Sequence, residues 1–287
     1  MTRPSKGQRP GSAPSKNGPR VPGGARRTPP APARTPGGRQ SVASAREMTP
    51  KANRTQMIIG GIAVGLIAVI VVVGLVLNKK QNAAPVTDHP VSTNSTASLV
   101  DGVVSVTGGA PAVTIDVYED GICPNCKDFE GQYGQQIMKG VDEGKLGVRY
   151  HFLNFLNPNS ASKTYSTRLA AAMQCVAAVP TDQAPKGLFL NFHSTMFSSD
   201  VQPAEQGASD LSNQQIADLA VKAGAPQSAA TCISTGANVT AAETSAKNST
   251  AQLTALVPNG VYYTPSATQG TTLLNLNSTD WLTKLIG

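Results

Sequence analysis

The sequence predicts an α/β domain interrupted by a long helical insertion, carried behind one membrane-spanning helix and a disordered basic tail. Three observations lead there. Met57 to Leu77 is a run of 21 residues without a charge. Between about residues 103 and 155, β-branched runs flank a helical stripe, and an Ala-rich helical block at about 160–256 then precedes a return to strand character.

Residues 1–56 hold twelve of the 24 Lys and Arg residues, one acid (Glu47), ten prolines and no aromatic residue. Such a segment cannot bury enough apolar surface to offset its ordering entropy, so a disordered cytoplasmic tail is expected. At ~1.5 Å per residue, the helix 57–77 matches a hydrocarbon core of roughly 30 Å. Asn78, Lys79 and Lys80 follow it with no Ala-x-Ala site, which favours an uncleaved anchor in the lipid bilayer over a signal peptide. The net charge of +7 is uneven: residues 1–56 carry +11 and the remainder −4. That asymmetry places the N-terminus in the cytoplasm and everything after about residue 78 outside. No aromatic or Gly-Arg-Gly pattern supports nucleic-acid binding by the tail, and none is expected.

Residues 78–98, rich in Ser, Thr, Asn and Pro toward the domain, read as a spacer, and the folded domain is expected over 99–287. Val103 to Val106 and Ala112 to Tyr118 read as strands around a Gly108-Gly109-Pro111 turn. Phe129, Tyr133, Ile137 and Val141 recur at four-residue steps, which marks a helix that Gly144 ends. Leu146 to Phe155 returns to strand and completes a β-α-β unit. Thr164 to Val179, Leu188 to Phe197, Asn213 to Gly224, Gln227 to Ile233 and Ala237 to Leu256 are helical. Val261 to Tyr263 and Thr271 to Leu276 read as strands, and Trp281 to Ile286 as a terminal helix.

All four cysteines (123, 126, 175 and 232) follow the span, and an even number outside the cytoplasm is expected to pair. Cys123-Pro124-Asn125-Cys126 stands where a strand gives way to a helix. A thiol there faces unpaired backbone N–H groups and the positive end of the dipole, which favour the reactive thiolate. One helical turn separates the two sulfurs, with Cys123 expected exposed to attack and Cys126 covered to resolve. A purely structural bridge or half of a zinc site are the alternatives. Zinc needs two further ligands, and Cys175, Cys232, His89, His151 and His193 are scattered.

The run Val117-Tyr-Glu-Asp-Gly-Ile-Cys-Pro-Asn-Cys-Lys-Asp-Phe-Glu130 resembles the active-site segment of DsbA-like thiol-disulfide oxidoreductases, of the membrane-anchored actinobacterial type. The helical insertion, its Phe192-His193-x-x-Met196-Phe197 segment and Thr264-Pro265 before a late strand are also similar. The resemblance spans roughly residues 99–287. It implies a thioredoxin-like fold and catalysis by Cys123 and Cys126. It also implies a cis bond at Pro265, which leaves the Thr264 backbone free to pair with a substrate strand.

By the same resemblance, substrates are exported protein thiols, no metal or organic cofactor is needed, and a quinone-linked membrane oxidase recycles the reduced pair. A bridge between Cys175 and Cys232 is similar to one in some actinobacterial members, with a second redox pair as the alternative. One departure stands out. The family's buried acid lies six residues before the first Cys, which here is Val117; Asp116 falls on the opposite face, and Glu119 and Asp120, nearer the strand end, read as solvated carboxylates, with partial replacement of the missing acid by either as the alternative. His193, on an aromatic helix face, reads as a packed core residue. A reductase of the same fold, for instance in cytochrome c maturation, and a non-enzymatic envelope binding module with structural disulfides are the rival functions.

Overall fold

The computed structural model describes residues 88–287. The tail, the span Met57 to Leu77 and the first part of the spacer lie outside these residues. Among the described residues no helix is long and apolar enough to cross a membrane.

Six strands form one sheet: β1 (Thr96–Val100), β2 (Val103–Thr107), β3 (Val113–Asp120), β4 (Leu146–Leu153), β5 (Ser266–Gln269) and β6 (Thr272–Leu273), in spatial order β1-β2-β4-β3-β5-β6. β3 and β4 are parallel, in register from Val113 opposite Leu146 to Asp120 opposite Leu153, and the other pairings are antiparallel. A parallel pair needs a long crossover, which α1 (Pro124–Asp142) supplies, so the β-α-β unit expected from the sequence is present. From Ile115 to Asp120 every β3 residue is buried, as befits a central strand covered on both faces.

The insertion comprises α2 (Tyr165–Ala177), α3 (Leu188–Met196), α4 (Asn213–Lys222), α5 (Gln227–Thr235) and α6 (Val239–Leu256). Every residue of α2 except Arg168 is buried, so α2 is the centre of this block. A disulfide joins Cys175 on α2 to Cys232 on α5, with S–S 2.00 Å and Cα–Cα 5.9 Å. The terminal helix α7 (Trp281–Ile286) sets Trp281 against Phe129 and Tyr133 of α1.

Two strand assignments differ from the sequence reading. Val261 to Tyr263 is not a strand: Val261 and Tyr263 are 73% and 64% exposed, and pairing with β3 begins only at Ser266, after Pro265. A proline has no N–H to give a ladder, so the strand starts beyond it. β1 is an edge strand that the Ser- and Thr-rich composition concealed.

Residues 89–94, within the expected spacer, lie against the domain. Asp142, at the end of α1, accepts hydrogen bonds from the Ser92 hydroxyl (2.7 Å) and from the backbone N–H groups of Thr93 (2.8 Å) and Asn94 (3.2 Å). His89 Nε2 lies 2.9 Å from the same carboxylate.

Candidate active site

Cys123 is the residue immediately before α1 and has extended backbone angles (φ −69°, ψ 119°). No side chain caps the helix, so its first N–H groups are left to the Cys123 sulfur. The approach to the helix is tightly fixed. Cys123 N–H donates to the Asp120 carbonyl at 3.0 Å. Gln202, from the insertion, donates its amide to the carbonyls of Gly121 and Cys123, each at 3.1 Å. Gly121 packs closely, and a Cβ there would meet Leu169 Cδ2 at 2.4 Å and displace that buried side chain.

The structure places Cys123, Cys126, Thr264 and Pro265 together. The Thr264–Pro265 peptide is cis, and the Cys123 thiol donates to the Thr264 carbonyl at 3.5 Å. Both thiols are free, and both are buried. For Cys123, expected to be exposed, this is a correction: only 4% of it is accessible, because the segment carrying Thr264 folds over the helix end. Beside it, a cleft of about 300 Å³ runs between α1 and residues 263–265 and 274–277, lined by Asn125, Phe129, Tyr133, Tyr263 and Pro265 among others.

The two thiols are electrostatically unlike. A hydrogen bond from the Cys126 thiol, helped against burial by Thr264 and by the N–H groups of Cys126 and Asn125, brings the Cys123 pKa down from 9.0 to about 6. The buried Thr264 hydroxyl has no other hydrogen-bond partner and can turn to the thiolate. Burial, with that same hydrogen bond and the Glu119 charge, pushes Cys126 well above the usual thiol range. Near neutral pH, Cys123 is therefore thiolate and Cys126 is thiol.

Glu119 and Asp120 are the largest departure from the sequence reading. Neither is solvated; both have no accessible surface. Asp120 accepts hydrogen bonds from the Ser166 hydroxyl (2.6 Å) and the backbone N–H groups of Leu156 (3.0 Å) and Ile122 (3.2 Å). Burial lifts its pKa to about 6 despite these bonds. Glu119 faces the α3 side and lies 2.9 Å from His193 Nε2. His193 is buried among rings as expected, with Tyr150 and Phe197 centroids at 4.5 and 4.7 Å, but it is not merely packed. Asp116 holds His151 Nε2 (2.8 Å) and Arg149 (2.6 Å). The signal for the buried acids lay in β3 being a two-sided, parallel-paired strand, within which any polar residue must be inside.

A thioredoxin family model matches residues 105–265, from β2 to the cis proline. The chain belongs to the thioredoxin family. Among solved thioredoxin-family relatives, it is similar to the reduced disulfide bond oxidoreductase DsbG of Mycobacterium tuberculosis, with 29% identity and a TM-score of 0.50 over 59% of this chain and 78% of that one. It is likewise similar to reduced DsbA of the same organism, with 27% identity and a TM-score of 0.54 over 65% and 93% of the two chains. Its likeness is thus to disulfide oxidoreductases of the DsbG and DsbA type. It is also 41% identical over 189 residues to the serine/threonine-protein kinase PknE of Mycobacterium tuberculosis, a match that takes in 66% of this chain but 32% of the kinase.

Proposed function

We propose that Cys123 and Cys126 are the redox pair, and that the protein donates their disulfide to newly exported proteins from a position anchored in the cell membrane. The observation that carries this reading is the asymmetry of the pair: a Cys123 thiol at about 6 beside a Cys126 thiol held well above the usual range. A substrate thiolate attacks Cys123, a new S–S bond forms, and the Cys123–Cys126 bond breaks with Cys126 as the leaving group. A second substrate thiolate then attacks the substrate sulfur of the mixed disulfide and expels Cys123 as a stabilised thiolate. The substrate is oxidised by two electrons and the pair is reduced by two. Attack is aimed at Cys123 because Cys126 is enclosed, and a substrate strand would pair with the Thr264 backbone beside the cleft. The exchange calls for no metal or organic cofactor.

A low pKa stabilises the reduced pair and so makes the disulfide oxidising. The value for Cys123 lies between about 7 for thioredoxin and about 3.5 for DsbA, which corresponds to an oxidant of intermediate strength. The bridge between Cys175 and Cys232 is compatible with an oxidising compartment and supports placing the domain outside the cytoplasm. The uncharged span Met57 to Leu77 and the twelve cations before it support the anchor and its orientation. A quinone-linked membrane oxidase would reoxidise the pair.

The test mixes the oxidised protein with a reduced dithiol peptide and follows peptide disulfide formation. Cys123→Ser and Cys126→Ser are each expected to abolish transfer, because neither variant can form the disulfide that is donated. Transfer that persists undiminished in Cys123→Ser refutes the assignment.

A further inference from the structure

Three separate elements bring a metal-ligating side chain to one enclosed point: Glu119 from the end of β3, Glu130 from the second turn of α1 and His193 from α3. One carboxylate oxygen from each acid and one imidazole nitrogen all lie within 4.8 Å of one another. The three side chains are 0%, 7% and 1% exposed. Glu119 Oε2 is 2.9 Å from His193 Nε2, and Glu130 Oε2 is 3.7 Å from His193 Nδ1. Gly134, one turn beyond Glu130, leaves that carboxylate its place, since a Cβ there would meet Glu130 Oε2 at 2.8 Å.

No cationic side chain offsets the two acids. Among the described residues, no Lys or Arg forms an ion pair with Glu119 or Glu130. Glu119 Oε1 and Glu130 Oε1 are both buried without a hydrogen-bond partner. The enclosure is aromatic, with Tyr150, Phe152, Phe189 and Phe197 around the His193 ring. Two carboxylates in such a place are costly unless they are paired or coordinate a metal. A divalent cation cancels the charge of both, and each acid has a further oxygen to offer it.

We propose that Glu119, Glu130 and His193 form a binding site for one divalent transition-metal ion of the Zn2+ class. The donor set selects that class. One imidazole with two carboxylates suits Zn2+ and its first-row neighbours, whereas Ca2+ takes six to eight oxygens and Mg2+ keeps several waters, which a ring-lined enclosure does not supply. Zinc binds such donors at about 2.0–2.2 Å, which sets tetrahedral neighbours about 3.4 Å apart. The widest pair here closes by no more than about 1.4 Å, within reach of side-chain rotation. The hydrogen bond between Glu119 and His193 then gives way to a bond from each to the ion, and any protons the ligands held pass to the buffer.

The ion ties the helical insertion to the sheet. Glu119 and Glu130 belong to the β-α-β unit and His193 to the insertion, so coordination joins the two and stabilises the folded chain in proportion to occupancy. The role is structural. The three ligands include neither cysteine, so a disulfide between Cys123 and Cys126 removes none of them. The site therefore stands independently of the redox-pair reading.

The experiment titrates Zn2+ into the untagged full chain with Cys123 and Cys126 oxidised, so that no thiolate competes for the ion, and reads binding by calorimetry and by metal content after dialysis. One ion per chain is expected. Glu130→Gln and His193→Gln should each weaken binding by about a hundredfold or more, beyond the cost of losing a partner outside the ligand shell. Phe189→Leu, which alters the cage but removes no donor, should keep the parent's stoichiometry. At free Zn2+ about a hundred times Kd, the parent's Tm should rise by roughly 5–10 °C, and that of Glu130→Gln should not. Co2+ in place of Zn2+ should give d–d absorption without a sulfur charge-transfer band. A folded parent that binds no ion overturns the proposal, as does a sulfur band in the Co2+ complex. One-to-one binding that both Gln variants retain also overturns it and marks an adventitious ion at another site. If His193→Gln does not fold, the isosteric Glu130→Gln decides.

Discussion

Replacing Cys126 with Ala removes the interaction that contributes most to lowering the Cys123 pKa. Cys123 moves from 9.0 to about 6, and the hydrogen bond from the Cys126 thiol is the largest cause, ahead of Thr264 and the N–H groups of Cys126 and Asn125. A hydrogen bond to a charged group contributes about 1.5–3 kcal/mol, and each pH unit corresponds to about 1.4 kcal/mol. The Cys123 midpoint should therefore rise by roughly one to two pH units in Cys126→Ala. At pH 7 the thiolate fraction would fall from about 90% to between about 10% and 50%. Thiolate absorbance near 240 nm, titrated in the reduced protein, reads this directly, and alkylation by iodoacetamide gives an independent midpoint. A midpoint near 6 in both proteins refutes the role of the Cys126 thiol and leaves the helix N-terminus as the cause. A midpoint near 8.5 in the parent refutes the electrostatic account altogether.

The same shift predicts that the folded reduced protein is stabilised against unfolding only where Cys123 is a thiolate. Because the folded pKa lies below that of the unfolded chain, this contribution is complete above about pH 8.5 and is lost as pH falls through about 6. It should amount to at most about 3 kcal/mol after allowance for partial solvent screening, measured by urea unfolding of the reduced form across that range. Removing the bridge with Cys175→Ala and Cys232→Ala should cost roughly 4 kcal/mol on the chain-entropy account of a 57-residue separation, while the rate of disulfide transfer stays within twofold. A large loss of transfer in a folded double variant would instead make that bridge part of the redox chemistry. Asp142→Asn should release residues 89–94, seen as faster amide exchange at Thr93 and Asn94, whose N–H groups the carboxylate now accepts. Unchanged exchange there would show that the segment is held by other contacts.

Much of this architecture is local, and was legible for that reason. The four-residue steps of Phe129, Tyr133, Ile137 and Val141 face one way on a helix whatever surrounds them, and the turn between strand and helix placed Cys123 at an N-terminus from neighbouring residues alone. The burial of Glu119 and Asp120 was not local. A carboxylate at a strand end is solvated unless something covers it; here α3 and the stretch from Leu156 to Ser166 do, and these lie tens of residues downstream. Cys123 was misread as exposed for the same reason, since its cover, Thr264, is 141 residues away. His193 shows a different failure. Its aromatic neighbours on the helix correctly implied a core position, but the acid it meets, Glu119, comes from another element.

The reduction potential of the Cys123–Cys126 pair, equilibrated against glutathione with the Cys175–Cys232 bridge intact, tests the central claim most directly. The account predicts a value between about −270 and −120 mV, the range bounded by thioredoxin and DsbA. A potential below about −300 mV would mark an inert structural disulfide and contradict it.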